Sequence, residues 1–256
     1  MKYENILFDV KEDRAFLSIN RPPMNILNIA TMKEMNDAIS SLRDKKNIKV
    51  LVITGSGEKA FSAGVDVTEH TAEKVEEMLQ VFHGIFRHLA TLNQVTVAAA
   101  KGFTLGGGCE VALFCDLIFG ADNLKIGQPE IKLSAIPPIA LLVMPQLVGL
   151  KKASELLYTG KIIDAAEAER IGLVNKIVSM DSFDEELANF LQPFTELSLT
   201  GLKFSKKGIR MGLETSFSEG LERIEKMYLE ELMASEDAHE GLKAFMEKRK
   251  PQWKNR

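Results

Sequence analysis

Apolar positions along the 256-residue chain follow two alternating rhythms, one of short continuous runs and one spaced at three and four. The runs "NILFDV" and "AFLSIN" have the length and β-branched content of strands, and the polar "KEDR" between them predicts an antiparallel hairpin. From Thr31 the spacing changes: Met32, Met35, Ile39 and Leu42 predict a helix with Thr31 as its N-cap. "IKVLVIT" then reads as a strand covered on both faces, because it is apolar almost throughout. A helix from about Ala72 to Leu92, the strand "QVTVAAAKG", a glycine stretch, a short helix and the strand "DLIFGA" repeat the scheme without repeating a sequence motif. Beyond Lys151 strand signals almost vanish, and from about Thr195 the pattern is helical and strongly charged. The expected class is α/β, with residues 1–195 as the alternating body and 196–256 as a helical region.

Composition narrows the function. A chain with 45% hydrophobic and 27% charged residues can bury a sizeable core, which excludes a disordered or fibrous protein. A formal charge of −4 argues against nucleic acid or an acidic membrane as partner, so a small molecule is expected. No apolar N-terminal segment follows a basic start and no uninterrupted apolar stretch reaches spanning length; the expectation is a soluble cytoplasmic protein. Cys109 and Cys115 fall on one expected helix and read as reduced core thiols. His70, His83, His88 and His239 lack metal-ligand spacing, since His83 and His88 diverge around a helix, and no metal is expected.

The chemistry concentrates in "TLGGGCEVALFCD", Thr104 to Asp116, where three glycines precede an apolar run carrying an early glutamate. Three adjacent glycines weaken a helix or strand by roughly 0.5–1 kcal/mol each, which points to close approach by something else. A P-loop would need Lys-Ser or Lys-Thr after the glycines, and a dinucleotide fingerprint would need glycine where Val111 stands. What remains is a strand ending in glycines as a helix begins, a place where unpaired N–H groups suit an oxyanion. "KAFSAGVDV", after the strand "VLVITG", is a second such junction, and two loops could hold one oxygen.

In order and spacing, "FSAGVD", "KGFTLGGGCE", "CDLIFGAD" and "GQPEIKLSAIP" resemble the enoyl-CoA hydratase/isomerase (crotonase) superfamily, and the likeness runs from the N-terminal hairpin to the "AFMEKRKPQW" tail. The resemblance implies repeated ββα turns wound as a right-handed spiral, and a C-terminal helical region that builds a homotrimer, commonly doubled to a hexamer. It also implies an acyl-CoA thioester as substrate, with no cofactor beyond the coenzyme A the substrate carries. Carried over, the oxyanion donors are the backbone N–H groups of Val65 and Gly107, with Ala63, Asp66, Gly106 and Gly108 beside them. Hydratases of the family carry two glutamates, here Glu110 and Glu130; one group activates water and another delivers a carbon-bound proton. As neighbouring acids they should titrate as a coupled pair.

Departures from the family pattern bear on the substrate. Pro138, Ile139 and Ala140 stand where relatives are glycine-rich, which suggests a stiff wall suited to a compact or cyclic acyl group. Phe82, His83 and Phe86 are further candidates for the acyl pocket. "RPPMNILNIATM" and "SAGVDVTEHT" are similar to the cyclohexa-1,5-diene-1-carbonyl-CoA hydratases of anaerobic aromatic degradation, in the benzoyl-CoA pathway. Thr68 replaces a lysine that relatives use for CoA, whereas Phe245 and Lys248 match positions where a neighbouring subunit's tail covers adenine and the 3′-phosphate. Alternatives are a short-chain enoyl-CoA hydratase, a one-glutamate dehydratase or isomerase, and a noncatalytic RNA-binding relative whose basic surface is missing here. A purely structural oligomer would not need the glycines at 106 to 108.

Overall fold

The computed structural model describes residues 2–256. The expected hairpin is present: β1 (Ile6–Lys11) pairs antiparallel with β2 (Arg14–Ile19), and Glu12 takes a left-handed φ of 55° in the turn. Helix α1 (Ile29–Ser40) begins earlier than expected, because its N-cap is Asn28. The Asn28 carboxamide oxygen accepts from the backbone N–H and the hydroxyl of Thr31, at 2.9 and 2.7 Å. Thr31 therefore lies inside the first turn, where its hydroxyl serves the cap instead of being it.

From here the chain contributes alternately to two sheets. β3 (Val50–Gly55), β5 (Val95–Ala100) and β7 (Leu117–Ala121) extend the parallel part of one sheet, whereas β4 (Ala60–Ser62), β6 (Phe103–Leu105) and β8 (Lys125–Gly127) build a second. A helix follows each pair: α2 (Val75–Thr91), α3 (Gly107–Phe114) and α4 (Pro138–Val148). Each turn of the winding is thus strand, strand, helix, in agreement with the expected α/β spiral. α2 starts at Val75, later than expected, because Thr71 O first accepts from the N–H groups of both Lys74 and Val75.

Alternation across the pleat explains why β3 and β5 are apolar throughout. Leu51, Ile53, Ala98 and Ala100 face the main core, and Val50, Val52, Val97 and Ala99 face a second cluster under Phe183, Leu187 and Leu191. Those three belong to α7 (Phe183–Thr195), which covers the outer face of the sheet after α5 (Leu150–Thr159) and α6 (Ala165–Arg170). Strand structure does not end at Lys151: β9 (Ile162–Asp164) and β10 (Lys176–Val178) add edges to the two sheets. At three residues each, they are too short to show a period.

The remainder is helical, as expected: α8 (Leu199–Glu214), α9 (Phe217–Met227), a π-helical turn at Tyr228–Leu232, and α10 (Glu236–Met246). The buried Lys206 ammonium ties α8 to the body, donating to Asp116 Oδ2 at 2.6 Å and to Gln94 O at 2.8 Å. Cys109 lies within α3 while Cys115 closes that helix as its C-cap, and both are free and buried. Among the described residues no helix is long and apolar enough to cross a membrane.

Candidate active site

The site lies where the first residues after β4 and β6 meet. Leu27 N–H donates to Gly64 O at 2.9 Å and Asp66 N–H donates to Leu27 O at 3.0 Å, a parallel bridge centred on Val65. In that pattern the N–H of Val65 itself points away from the bridge. It meets no acceptor among the described residues, and neither does the N–H of Gly107, the first residue of α3. Gly64 connects the two loops: its φ of 107° suits glycine alone, and a Cβ there would lie 3.4 Å from Gly107 N and 3.1 Å from Leu105 O.

The three consecutive glycines are bare for three different reasons. A Cβ on Gly106 would approach Glu130 Oε1 to 2.9 Å, and one on Gly107 would come within 2.7 Å of the Val65 side chain. At Gly108 it would strike Ser62 O at 2.5 Å, so that glycine answers to packing of α3 on β4. The glycine run therefore answers in part to helix packing and in part to the close approach of Glu130, Val65 and Phe82.

Glu110 sits in the first turn of α3 and is 2% exposed. Its Oε1 accepts from the N–H groups of Ile139 and Ala140, at 2.8 and 3.1 Å, in the first turn of α4. Burial pushes the Glu110 carboxyl up to about 7; the two N–H groups pull it down, and the Glu130 charge adds to the rise. Glu130, in the 3-10 turn Pro129–Leu133, is also raised, mainly by burial. Gln128, 1% exposed, was not singled out by sequence. With its amide nitrogen turned toward these acceptors, it donates to the two Glu130 oxygens at 3.0 and 3.1 Å and to Gly106 O at 3.3 Å. Its place beside the glutamate in "GQPE" was the available signal.

A cavity of about 590 Å3 brings these groups together. Ala63, Val65, Gly106, Gly107, Glu110, Glu130, Phe82 and Pro138 all line it. Sequence reading missed Val67, His70, Met78, Leu79, Leu133 and Ile136, most of which supply its apolar wall. Met78 precedes Phe82 by one helical turn on α2, so helical spacing could have found it.

Other expected residues stand outside the lining. Asp66 caps the 3-10 turn Val67–Glu69, and the Thr68 hydroxyl and N–H hold its carboxyl below the usual range. Gly108 faces Ser62. The Ile139 side chain packs on the core while its backbone serves Glu110. Phe86 packs edge-on behind Phe82 and against Phe114, with ring centroids at 5.0 and 5.3 Å, and His83 lies beside both phenylalanines of α2. Phe245 is 85% exposed near the end of α10, and Lys248 follows with a left-handed φ of 54°; neither reaches the cavity of its own chain.

The arrangement suits thioester chemistry: two unpaired N–H groups for a developing oxyanion, and two carboxyl groups of raised pKa for proton transfer. The family model for enoyl-CoA hydratase/isomerase matches residues 11–256. The chain belongs to that family and is an enzyme of the hydro-lyase class. It is 38% identical to a crotonyl-CoA hydratase of Syntrophomonas wolfei, over 98% of each chain. It is 37% identical to a cyclohexa-1,5-dienecarbonyl-CoA hydratase of Thauera aromatica, over 94% of this chain and 92% of the relative. The crystal structure of an enoyl-CoA hydratase from Bacillus anthracis superposes with a TM-score of 0.93 at 31% identity, covering 99% of this chain and 100% of the other.

Proposed function

We propose that this enzyme adds water to a conjugated dienoyl-CoA thioester with a compact ring, specifically cyclohexa-1,5-diene-1-carbonyl-CoA, giving 6-hydroxycyclohex-1-ene-1-carbonyl-CoA. The observation that carries the reaction type is the convergence of Glu110, Glu130 and the free N–H groups of Val65 and Gly107 on one cavity. The ring is supported by Pro138 in the cavity wall, where a helix-starting proline fills space and stiffens backbone, and by the likeness to the Thauera aromatica enzyme.

The thioester oxygen accepts from Val65 and Gly107. The ionised carboxylate of the pair removes a proton from water as the oxygen bonds to the ring carbon β to the thioester. The displaced π electrons pass into the carbonyl, whose negative oxygen the two N–H groups stabilise. As the carbonyl re-forms, the far end of the dienolate takes the proton of the second carboxyl. One C–O and one C–H bond form, one water O–H bond breaks, and the acids end with their proton exchanged. Coenzyme A takes part only as the thioester.

The assembly fits a homotrimer or a hexamer. Phe217, Leu229 and Phe245, on the C-terminal helical region, are exposed, as suits cover by a second copy. In such an assembly Phe245 and Lys248 would meet a neighbour's adenine and 3′-phosphate.

Mass spectrometry of thioesters before and after incubation tests the reading through the gain of one water. The expected result is kcat/KM for cyclohexa-1,5-diene-1-carbonyl-CoA at least about tenfold above that for crotonyl-CoA. The reverse order would make the protein a short-chain enoyl-CoA hydratase.

A further inference from the structure

A second cavity, of about 380 Å3, lies between the body and the C-terminal helices of the same chain. Its charge opposes that of the molecule. Arg43, Lys45 and Lys46, on the turn after α1, and Lys203, on α8, all line it, and none has an ion-pair partner among the described residues. Of the two acids in the lining, Glu231 is engaged by Lys207 at 2.8 Å, which leaves Asp44. A net charge of −4 for the chain makes this local excess of positive charge a feature of the site.

The start of α8 also opens there. Asn255 Oδ1 accepts from Leu199 N–H at 2.9 Å, and the N-cap Ser198 hydroxyl accepts from Gly201 N–H at 3.3 Å. The N–H between them, that of Thr200, meets no acceptor among the described residues. Thr200 is only 7% exposed, lines the cavity, and its hydroxyl also has no partner. An unpaired hydroxyl and N–H at the positive end of a 16-residue helix share this cavity with Arg43, Lys45, Lys46 and Lys203, the last also over the Phe204 ring, and form a set of donors lacking an acceptor.

We propose that this cavity is a binding site for a small diphosphate-bearing anion, separate from the thioester site. Its size lies in the range of small-molecule sites and exceeds what a single orthophosphate fills, and lysine ammonium groups suit phosphate oxygens as point charges. The ligand bridges the turn after α1 to α8 and holds the helical region onto the body. Free pyrophosphate, ADP and the diphosphate of coenzyme A share this chemistry, and the three serve as separate probes.

Calorimetric titration and thermal unfolding of the intact protein, at constant ionic strength, test the site. Pyrophosphate at ten times its Kd should raise Tm by about 3–5 °C. The double variant Arg43→Gln/Lys203→Gln should bind it at least about tenfold more weakly, and Thr200→Val several-fold more weakly, with thioester hydration unchanged in both. Circular dichroism establishes that the variants are folded, and the near-isosteric Thr200→Val is read alone if the double variant is not. Absence of heat and of any Tm shift at millimolar pyrophosphate overturns the proposal. So does binding undiminished in the folded variants, or binding of coenzyme A alone, which places the anion in the thioester site.

Discussion

The backbone N–H of Ile139 donates to Oε1 of Glu110 at 2.8 Å, so a residue whose side chain points into the core helps position an acid through its main chain. α4 thereby docks its first turn on the glutamate of α3. The N–H groups of Ile139 and Ala140 favour the charged carboxylate while burial disfavours it, and burial wins, leaving the group near neutrality.

Glu110→Gln and Glu130→Gln should each lower kcat by at least about 10²-fold while the affinity for a CoA thioester survives, because proton removal and proton delivery are separate roles. Single-turnover kinetics with calorimetric binding check this. Near-normal hydration by either variant removes that glutamate from the mechanism.

The raised pKa of Glu110 carries a stability signature. An unfolded glutamate titrates near about 4.3, so between that pH and about 7 the folded protein keeps a proton that the unfolded chain has lost. Burial of Glu110 therefore costs stability that grows as pH rises through this window. Glu110→Gln should be stabilised relative to the native protein more at about pH 8 than at about pH 5, by on the order of 2–3 kcal/mol. Denaturant titrations at the two pH values measure the difference, and an equal effect at both would show that Glu110 titrates normally.

Gly64→Ala should reduce kcat at least about 10²-fold, since a φ of 107° is strained for alanine and relaxation moves the Val65 N–H. Val65→Ala keeps that N–H and should cost less than about tenfold. The ratio of the two kcat values separates a backbone donor from a side-chain contact; equal losses would contradict the assignment.

Selectivity should respond to Pro138 and not to the side chain of Ile139, because only Pro138 lines the cavity. Pro138→Gly is expected to shift preference from cyclohexadiene-carbonyl-CoA toward crotonyl-CoA by about 1–3 kcal/mol in kcat/KM, and Ile139→Val by much less. Competition assays with both thioesters, on variants of measured Tm, give the ratio. A larger shift from Ile139→Val would place the wall elsewhere.

Sequence by itself determined the body of this protein and marked the candidates for its reacting groups. The apolar runs at β3 and β5 specify strands covered on both faces, and the three-and-four spacing of Met32, Met35 and Ile39 specifies a helix, because burial needs a matching period. The glycine-glutamate motifs marked Val65, Gly107, Glu110 and Glu130 because close approach and acid-base work demand those residue types. Tertiary structure decided what had no local signal. β9 and β10 exist through pairing with distant strands. Of the wall expected at Pro138 and Ile139, only Pro138 faces the cavity, since the direction of α4 turns the next side chain into the core. The value near 7 at Glu110 likewise comes from burial, opposed by the N–H groups of residues 29 and 30 positions away, and both exist only once α3 and α4 have packed. Burial and long-range hydrogen bonding belong to the folded chain, where separations in sequence no longer measure distance.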